Sequence, residues 1–267
     1  MASPFYFPIV WLSFIRLCYN QAMQAPIAQK LLELNRRFYF DFGSSFSSTR
    51  HRLQPGVRKI LDGLVGTESI LDLGCGNGEL ARTLAQNGFH GAYLGLDFSL
   101  PLLHDARTQP DDFSAVFGEA DLSASTWDQT LIPGQYSLIT AFAVLHHIPS
   151  FDLRLNILSK VRRLLAPGGK FIHSNWQFLN SEKLRARVQP WNVAGLSNGD
   201  VDDGDYLLDW RSGGSGLRYV HHYSAQELEQ LSADTGFNVM ESFFSDGDGG
   251  NLGLYQVWER DEAYQKL

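Results

Sequence analysis

The clearest pattern in the chain is an alternation of short apolar runs with amphipathic stretches between residues 69 and 176. The apolar runs predict strands at 69–73, 92–97, 113–118, 136–142 and 170–176, and the amphipathic stretches predict helices at 78–87, after Ser99 and at 151–165. Strands that alternate with helices in this way form a parallel sheet, because each connection has to cross one face of the sheet. The pattern therefore predicts an α/β fold.

The segment before this alternation is mainly helical. Apolar residues recur at helical spacing over 25–40, and a second short helix is predicted at 55–64 with Pro55 in its first turn. The polar run at 43–56 predicts a loop between the two helices. Residues 23–66 are therefore interpreted as a helical N-terminal arm.

The segment after the alternation is interrupted once. Residues 190–217 are rich in Gly, Asp and Trp and have no long apolar period, which indicates an inserted loop or cap. A helix at 224–235, opened by the capping box of Ser224 and Glu227, precedes two last strands at 238–244 and 252–259. We expect a single domain over 67–260, with a mostly parallel seven-stranded sheet and helices on both faces.

Residues 1–22 form a separate apolar segment. The run from Phe5 to Ile15 is too short to span a bilayer, and nothing basic precedes Arg16 as a secretory signal requires. We expect an N-terminal extension upstream of a natural start at Met23, or a loosely docked arm, rather than a signal or a membrane anchor.

Charge and cysteine content narrow the function classes. The chain carries 22 Lys and Arg against 29 Asp and Glu, and its net charge of −7 argues against binding nucleic acid by charge alone. Cys18 and Cys75 cannot build a disulfide framework and lack zinc-ligand spacing, so we expect a cytoplasmic protein. The aspartates of 200–209 lack the glycine and glutamate positions of a calcium loop, and no metal site is predicted.

The most informative segment is the glycine-rich turn that follows the first strand. Asp72 ends the strand, and Gly74, Gly76 and Gly78 lead into a helix, where glycines allow positive φ and close approach of a ligand. A dinucleotide-binding turn would carry a further glycine at the position of Glu79. The run from Asp72 to Gly78 instead resembles the S-adenosylmethionine (SAM) signature of class I methyltransferases, whose fold is Rossmann-like.

That resemblance implies SAM as the cofactor and assigns its contacts. Asp97 ends the second strand, 19 residues beyond Gly78, and suits the two ribose hydroxyls, while Phe98 packs on the adenine. The third strand leads to Asp121, where the family places an adenine-contacting residue. The implied cofactor set is Asp72, Gly74, Cys75, Gly76, Asn77, Gly78, Asp97, Phe98, Asp121, Leu122 and Ala141.

Methyl transfer from a sulfonium requires mainly alignment of the acceptor and exclusion of water. A carboxylate acceptor is already ionised at neutral pH, whereas an amine or hydroxyl needs a base. His147, at the end of the fourth strand, is the predicted pocket histidine, and we interpret His146 as structural.

Three further stretches resemble the tRNA wobble-uridine carboxymethyl methyltransferases, which esterify the carboxylate of 5-carboxymethyluridine. Ser48, Thr49, Arg50 and Pro55 match an N-terminal motif of that family, AVLHHI at 143–148 also fits, and Arg218, Tyr219, His221 and Tyr223 match a motif near the other end. The sequence departs from the family at Gln54 and Val220 and in the acidic insertion.

This closer resemblance implies an acceptor site. Arg50 and Arg218 are assigned to the carboxylate and nearby phosphates, and both join His147 as predicted catalytic residues. The predicted substrate-binding set is Arg50, Trp210, Arg218, Tyr219 and His221, with the aromatic rings stacking on a flipped-out base. The alternative is that Arg50 fastens the N-terminal arm and Trp210 covers core.

The resemblance implies tRNA as substrate and a small zinc-ribbon activator subunit as partner. No membrane partner is expected, because the apolar run of residues 5–15 is too short to span a bilayer. Alternatives stay open: a SAM-dependent methyltransferase for a small acidic metabolite, an NAD-dependent oxidoreductase, which Glu79 disfavours, and a SAM-binding subunit without turnover.

Overall fold

The computed structural model describes residues 23–48, 52–109, 113–211 and 214–264, and for residues 44–48 the backbone alone. The predictions for residues 1–22, Thr49 and Arg50 lie outside the described residues.

Helices and strands alternate along the chain much as the apolar pattern predicts. The helices are α1 (Ala25–Ser48), α2 (Pro55–Leu61), α3 (Glu79–Gln86), α4 (Leu100–Ala106), α5 (Phe151–Leu164), α6 (Glu182–Arg185) and α7 (Ala225–Asp234). The strands are β1 (Ser69–Leu73), β2 (Ala92–Asp97), β3 (Ala115–Glu119), β4 (Tyr136–Phe142), β5 (Leu165–Trp176), β6 (Val188–Gln189), β7 (Asp205–Trp210), β8 (Gly216–His221), β9 (Phe237–Ser245) and β10 (Gly253–Arg260).

Within the described residues, seven strands form the main sheet in the order β3-β2-β1-β4-β5-β10-β9. β10 runs antiparallel to both β5 and β9, and the other neighbours are parallel. Apolar side chains cover both faces in two core clusters, one centred on residues such as Leu71, Ile139 and Phe171 and the other on Ile70 and Leu138. The predicted Rossmann-like α/β fold is confirmed.

The helix of the N-terminal arm is longer than the sequence predicts. The polar residues 43–48 were expected in a loop, but α1 continues through them to Ser48. Its buried positions include Leu31 and Phe38, which pack under the insertion and beside Trp210. Phe42, directly before this run, packs against Trp210, and this contact anchors the end of the helix despite the low helix propensity of the Gly and Ser residues that follow.

The insertion carries more regular structure than its composition predicts. Within residues 190–217, expected as an inserted loop or cap, lie β7 and the first residues of β8, and these strands form a three-stranded antiparallel sheet with β6. Leu208 pairs with Val188 on one side and with Arg218 on the other, so β8 is the strand farthest from β6. The hairpin carries the residues around Arg218 to the edge of the main domain.

A buried polar network fastens this second sheet to the main domain. The Arg154 guanidinium on α5 donates to the Tyr219 hydroxyl (3.0 Å) and lies 3.4 Å from an Asp205 carboxylate oxygen. His221 lies between the carboxylates of Asp205 (2.7 Å) and Glu227 (2.8 Å). Ser224 caps α7 by accepting from the Glu227 N–H, but the Glu227 side chain turns to His221 and Arg154, so only half of the predicted capping box forms.

None of the described helices combines the length and the apolar character that crossing a membrane requires.

Candidate functional site

A cavity of about 500 Å³ opens at the carboxyl ends of the parallel strands. Open α/β sheets bind ligands at this edge, and the volume lies in the range of small-molecule pockets. Four parts of the chain supply most of its walls: the loops after β1, β2, β3 and β4, the helix α1, the segment 52–57 at the start of α2, and parts of β5, β8 and the β9–β10 hairpin. The predicted cofactor residues therefore line the same cavity as residues of the N-terminal arm and of the segment that includes the insertion.

The glycine-rich turn adopts the conformation that its glycines allow. Gly74 and Gly76 have φ values of 69° and 56°, in the left-handed region. A Cβ on Gly74 would lie 2.4 Å from Val144 Cγ2, whereas a Cβ on Gly76 would have no atom within 4 Å. Gly74 thus permits close packing against the loop after β4, and Gly76 faces open space in the cavity.

Asp97 connects the glycine turn to the start of α4. Its carboxylate accepts the Gly76 N–H at 2.9 Å and the Ser99 N–H at 2.8 Å. Burial raises the pKa of Asp97, and the backbone hydrogen bonds from Ser99, Gly76 and Phe98 offset part of that rise. Each carboxylate oxygen can accept more than one hydrogen bond, so the same group can also take two ribose hydroxyls from the cavity side.

Asp72 lies beneath the turn with hydroxyl groups as its hydrogen-bond partners. Tyr93 donates at 2.6 Å and Thr140 at 2.7 Å. Burial raises the pKa of the Asp72 carboxyl to about 6, because the two hydroxyl hydrogen bonds lower that pKa by less than burial raises it, and the negative charge of Asp97 raises it further. Burial likewise raises the pKa of the Cys75 thiol far above its ordinary value, which leaves it protonated and unsuited to act as a nucleophile.

The far end of the cofactor wall carries Phe98 and Asp121. Asp121 accepts from the N–H and hydroxyl of Ser123 and from the Arg36 guanidinium on α1. Burial raises the pKa of Asp121, but the bonds from Ser123 and Arg36 outweigh it and leave that pKa below its ordinary value. Asp121 is therefore ionised and ties α1 to the cofactor wall, and Leu122 lies beside it in the same wall.

His147 borders the cavity and contacts α1 directly. Its Nε2 lies 2.9 Å from the Tyr39 hydroxyl, and its Nδ1 lies 3.3 Å from the Tyr219 carbonyl oxygen. His146 is 2 % exposed and accepts the Trp176 N–H at Nδ1, although it also borders the cavity. The chain turns at Ala143, three residues before His146, where φ is 59°. The Ala143 N–H lies 3.0 Å from both the carbonyl oxygen and the hydroxyl oxygen of Ser174, and these contacts hold the turn against β5.

Arg218 borders the cavity among aromatic rings. Its guanidinium carbon is 4.5 Å from the centre of the Trp176 ring, 5.5 Å from that of Phe38 and 5.7 Å from that of Trp210. The residue is 6 % exposed and borders the cavity. Cation–π contacts of this kind hold a guanidinium in place without neutralising its charge.

The structure brings most of the predicted site residues together but not all of them. The cavity is lined by Asp72, Gly74, Cys75, Gly76, Asn77, Asp97, Phe98, Asp121, Leu122, His147 and Arg218, and it is not lined by Gly78, Ala141, Trp210, Tyr219 or His221. Arg50 lies outside the described residues.

The five predicted residues outside the cavity wall have identifiable positions. Ala141 is fully buried in β4, and Gly78 lies against α4, where a Cβ would be 2.9 Å from Ala106. The assignment of substrate contacts to Tyr219 and His221 is corrected, because their polar side-chain atoms are engaged in the buried network of Arg154. Trp210 packs behind Arg218 against Phe38 and Phe42 rather than in the wall.

Several residues that line the cavity were not predicted from the sequence. Leu32, Asn35, Arg36 and Tyr39 on α1 line the cavity, as do Arg52 in the connection to α2 and Trp176 at the end of β5. Asn35, Arg36 and Tyr39 form a polar stripe at helical spacing beside the apolar stripe that predicted the helix. That stripe is the signal in the sequence that could have indicated the site, because polar side chains on one face of a helix have to contact either solvent or a polar site.

The donor set fits SAM better than a dinucleotide. The N–H groups of Gly74 and Cys75 both bond the Leu96 carbonyl, and that of Gly76 bonds Asp97, so they are not presented to a pyrophosphate. Asp72 and Asp97 are buried carboxylates, and the hydrogen bonds described for them come from hydroxyl and backbone N–H groups rather than from a cation. A cationic nucleoside cofactor supplies the charge that such a pair lacks. Among the described residues no group of His, Cys, Asp and Glu is arranged to hold a metal ion.

Comparison with known proteins agrees with this geometry. The family described as a methyltransferase domain matches residues 45–242. A protein of Encephalitozoon cuniculi named as a methyltransferase is 31% identical over 206 residues, covering 77% of this chain and 87% of its own. The mouse tRNA (carboxymethyluridine(34)-5-O)-methyltransferase ALKBH8 is 26% identical over 203 residues, which are 72% of this chain but 28% of that protein's length.

Solved structures show the same fold at low identity. A SAM-dependent methyltransferase of Methanosarcina mazei superposes with a TM-score of 0.61 at 22% identity, covering 78% of this chain and 98% of its own. A complex of the Haloferax volcanii Trm112 methyltransferase activator with a methyltransferase matches with a TM-score of 0.59 at 16% identity, over 85% of this chain and 97% of that chain.

Proposed function

Because the chain belongs to the methyltransferase domain family and its cavity is built for SAM, we propose that it methylates the carboxylate of a 5-carboxymethyl-type wobble uridine in tRNA. When bound, SAM supplies an electrophilic methyl group on a sulfonium. The glycine turn, Asp97 and Asp72 bind and orient that cofactor. The acceptor takes the remaining end of the cavity, between His147 and Arg218.

The observation that carries the proposal is the placement of Arg218. Its guanidinium is buried among Trp176, Phe38 and Trp210 at the acceptor end, where its positive charge attracts an anionic group. A carboxylate held there needs no base, since it already carries the lone pair that attacks the methyl. Ester formation removes the negative charge, which weakens the hold of Arg218 on the product.

Two similarities support the tRNA part of the proposal. The mouse relative is named for methylation of carboxymethyluridine at position 34 of tRNA, and its similarity extends over 72% of this chain. The complex with the Trm112 activator supports a helper subunit, which we propose supplies positive charge that a chain of net charge −7 lacks.

The direct test uses isotopically labelled SAM and anticodon stem-loops that carry 5-carboxymethyluridine, followed by nucleoside mass spectrometry. We expect a labelled methyl ester on this RNA and none on a stem-loop with the neutral 5-carbamoylmethyl group. The reaction is run with and without a zinc-ribbon activator subunit. Absence of ester in both arms, with SAM binding intact, would reject the tRNA acceptor.

Matched arginine variants test the role of Arg218. Arg218→Gln should lower kcat/KM by about 100-fold, since a charge-assisted hydrogen bond inside a cavity contributes roughly 1.5–3 kcal/mol. Arg211→Gln is the control, because Arg211 pairs with Asp209 at the hairpin surface and does not border the cavity. Equal losses in the two variants would contradict the assignment.

A small acidic metabolite is the second candidate acceptor. The net charge of −7 favours it, because such a ligand brings no phosphate chain to accommodate. Methyl transfer to a carboxylate in a metabolite extract, with stem-loops unmodified, would select it.

A further inference from the structure

The hairpin between β9 and β10 brings a carboxylate to the cavity. Asp246 borders the cavity, and its backbone lies in the left-handed region with a φ of 72°. The carboxylate accepts the Gly56 N–H at 3.0 Å and the Tyr255 hydroxyl at 2.7 Å. Both donors are neutral groups, so neither compensates the charge of Asp246. Each oxygen can accept more than one hydrogen bond, which leaves Asp246 able to bind a donor from the cavity side.

Two glycines hold this carboxylate close to the sheet. A Cβ on Gly253 would lie 2.6 Å from Asp246 Oδ2, and a Cβ on Gly56 would lie 2.3 Å from the Tyr255 ring. Both distances are too short for a real side chain, so a larger residue at either position would displace the carboxylate or the tyrosine that donates to it. The packing therefore fixes the position of the carboxylate at the cavity.

The pairing of β5 with β10 places Asp246 close to the Arg218 side chain. Trp176 on β5 lies directly opposite Gly253 on β10 in the antiparallel register, and residues paired in this way point to the same face of a sheet. The Trp176 ring lies 4.5 Å from the Arg218 guanidinium, and the Asp246 carboxylate lies against Gly253. A cation and an anion therefore border the acceptor end of the cavity beside two neighbouring strands.

Two opposite charges at one end of a cavity orient an acceptor that has two different groups. Asp246 repels the carboxylate that Arg218 attracts, so the anionic group of the acceptor turns towards Arg218. A carboxylate can only accept hydrogen bonds, so the part of the acceptor that lies beside Asp246 has to carry an N–H or O–H donor. In 5-carboxymethyluridine the neutral donors near the anionic substituent are the imide N–H of the ring and the 2′-hydroxyl of the ribose.

We propose that Asp246 accepts a hydrogen bond from one of these two donors and is a specificity-determining residue for the acceptor nucleoside. The assignment rests on the proposed function, because it takes the carboxylate at Arg218 as given. It adds a requirement that Arg218 alone does not impose, since an acceptor with an anionic group but no such donor leaves the Asp246 carboxylate facing the cavity without a partner.

The test removes each donor from the acceptor in turn. The RNA assay is run with the 5-carboxymethyluridine stem-loop and with two analogues, one methylated at the imide nitrogen and one without the 2′-hydroxyl at that nucleotide. In the wild-type protein we expect one analogue to lower kcat/KM about 10- to 100-fold, on the scale of a hydrogen bond to a charged group. In Asp246→Gly the same analogue should lie within about threefold of the unmodified stem-loop.

The choice of variants follows from the backbone. Glycine suits position 246 because φ is positive there. Asp246→Asn keeps the size of the side chain and removes its charge, and it should discriminate less than the wild type but more than Asp246→Gly, so the test does not depend on one variant folding. Asp248→Gly is the matched control, because Asp248 belongs to the same hairpin but does not border the cavity, and it should discriminate like the wild type.

The outcomes separate this contact from the proposed function. Equal discrimination in the wild type and both Asp246 variants, or none against either analogue in the wild type, would overturn the contact while the ester on the unmodified stem-loop upholds the function. Titration calorimetry with SAM alone should give affinities within about twofold for the wild type and Asp246→Gly, and a larger loss would place Asp246 at the cofactor instead. Absence of ester on the unmodified stem-loop would reject both.

Discussion

Substituting Arg154 by leucine tests whether the polar network beneath the insertion holds the acceptor end together. Arg154 is 1 % exposed and donates to the Ile148 carbonyl at 2.9 Å and to the Tyr219 hydroxyl at 3.0 Å. It also faces the carboxylates of Asp205 and Glu227 at 3.4 and 3.5 Å. Leucine fills part of the space and leaves these groups without their cation.

The structure sets the size of the expected effect. Removing one member of a buried ion pair costs about 3–5 kcal/mol, because the other charge stays buried. Asp205 keeps its bonds from Tyr219 (2.6 Å) and His221 (2.7 Å), and the side chain of Glu227 is 21% exposed, so we expect the lower end of that range. A loss of about 3 kcal/mol corresponds to a fall in melting temperature of about 6–12 °C for a domain of this size.

Urea unfolding followed by circular dichroism and by tryptophan fluorescence measures the loss, and coincidence of the two signals checks that unfolding is two-state. Arg163→Leu is the control, since Arg163 is 47% exposed in its contact with Asp128 and should cost at most about 1 kcal/mol. A loss below about 1 kcal/mol in Arg154→Leu, or an equal loss in the control, would refute the reasoning.

Three further predictions concern the cavity wall. The pKa of Asp72 is raised from 3.8 to about 6 in the folded protein, so its contribution to the free energy of unfolding is fully present below pH 4 and is lost as the pH rises through 6. Asp72→Asn should remove this loss of stability with rising pH, measured by urea unfolding of the ligand-free protein. An unchanged pH profile would contradict the burial argument. Asp97→Ala should weaken SAM about 100-fold or more by calorimetry, since it deletes both the ribose acceptor and the partner of the Gly76 N–H, and affinity within threefold of the wild type would count against the assigned cradle. Arg36→Ala should change global stability by no more than about 1 kcal/mol, because the ion pair with Asp121 is partly exposed, yet it should speed amide hydrogen exchange in α1, and unaltered exchange would show that the pair does not hold the helix.

The cofactor half of the site was predictable because its signals are local. β1 and β4 have the predicted bounds, and the turn from Asp72 to Gly78 needs glycine conformations that few other residues adopt. Strand bounds and glycine turns depend on residues within a few positions of each other, so they can be predicted from a single sequence.

The acceptor half depends on long-range packing, which a single sequence does not contain. Tyr219 and His221 match a family motif that implied substrate contact, but whether a tyrosine faces a cavity or a buried aspartate depends on the pairing of β7 with β8. Tyr39 was not predicted as a cavity residue for the same reason, because it borders the cavity only when α1 is packed against β8 and the turn of His147.

The side-chain amide of Asn35 on α1 bonds both the N–H and the carbonyl of Tyr219 on β8, and it thereby joins positions 184 apart. The strands that carry the cofactor turn, in contrast, lie close together along the chain. During synthesis the first helix leaves the ribosome long before the hairpin that receives it, and its apolar stripe has no native surface to cover until then. Contacts of such high sequence separation form slowly. The cofactor half is therefore expected to assemble first, and the enclosure for the acceptor to be the last part of the molecule to mature.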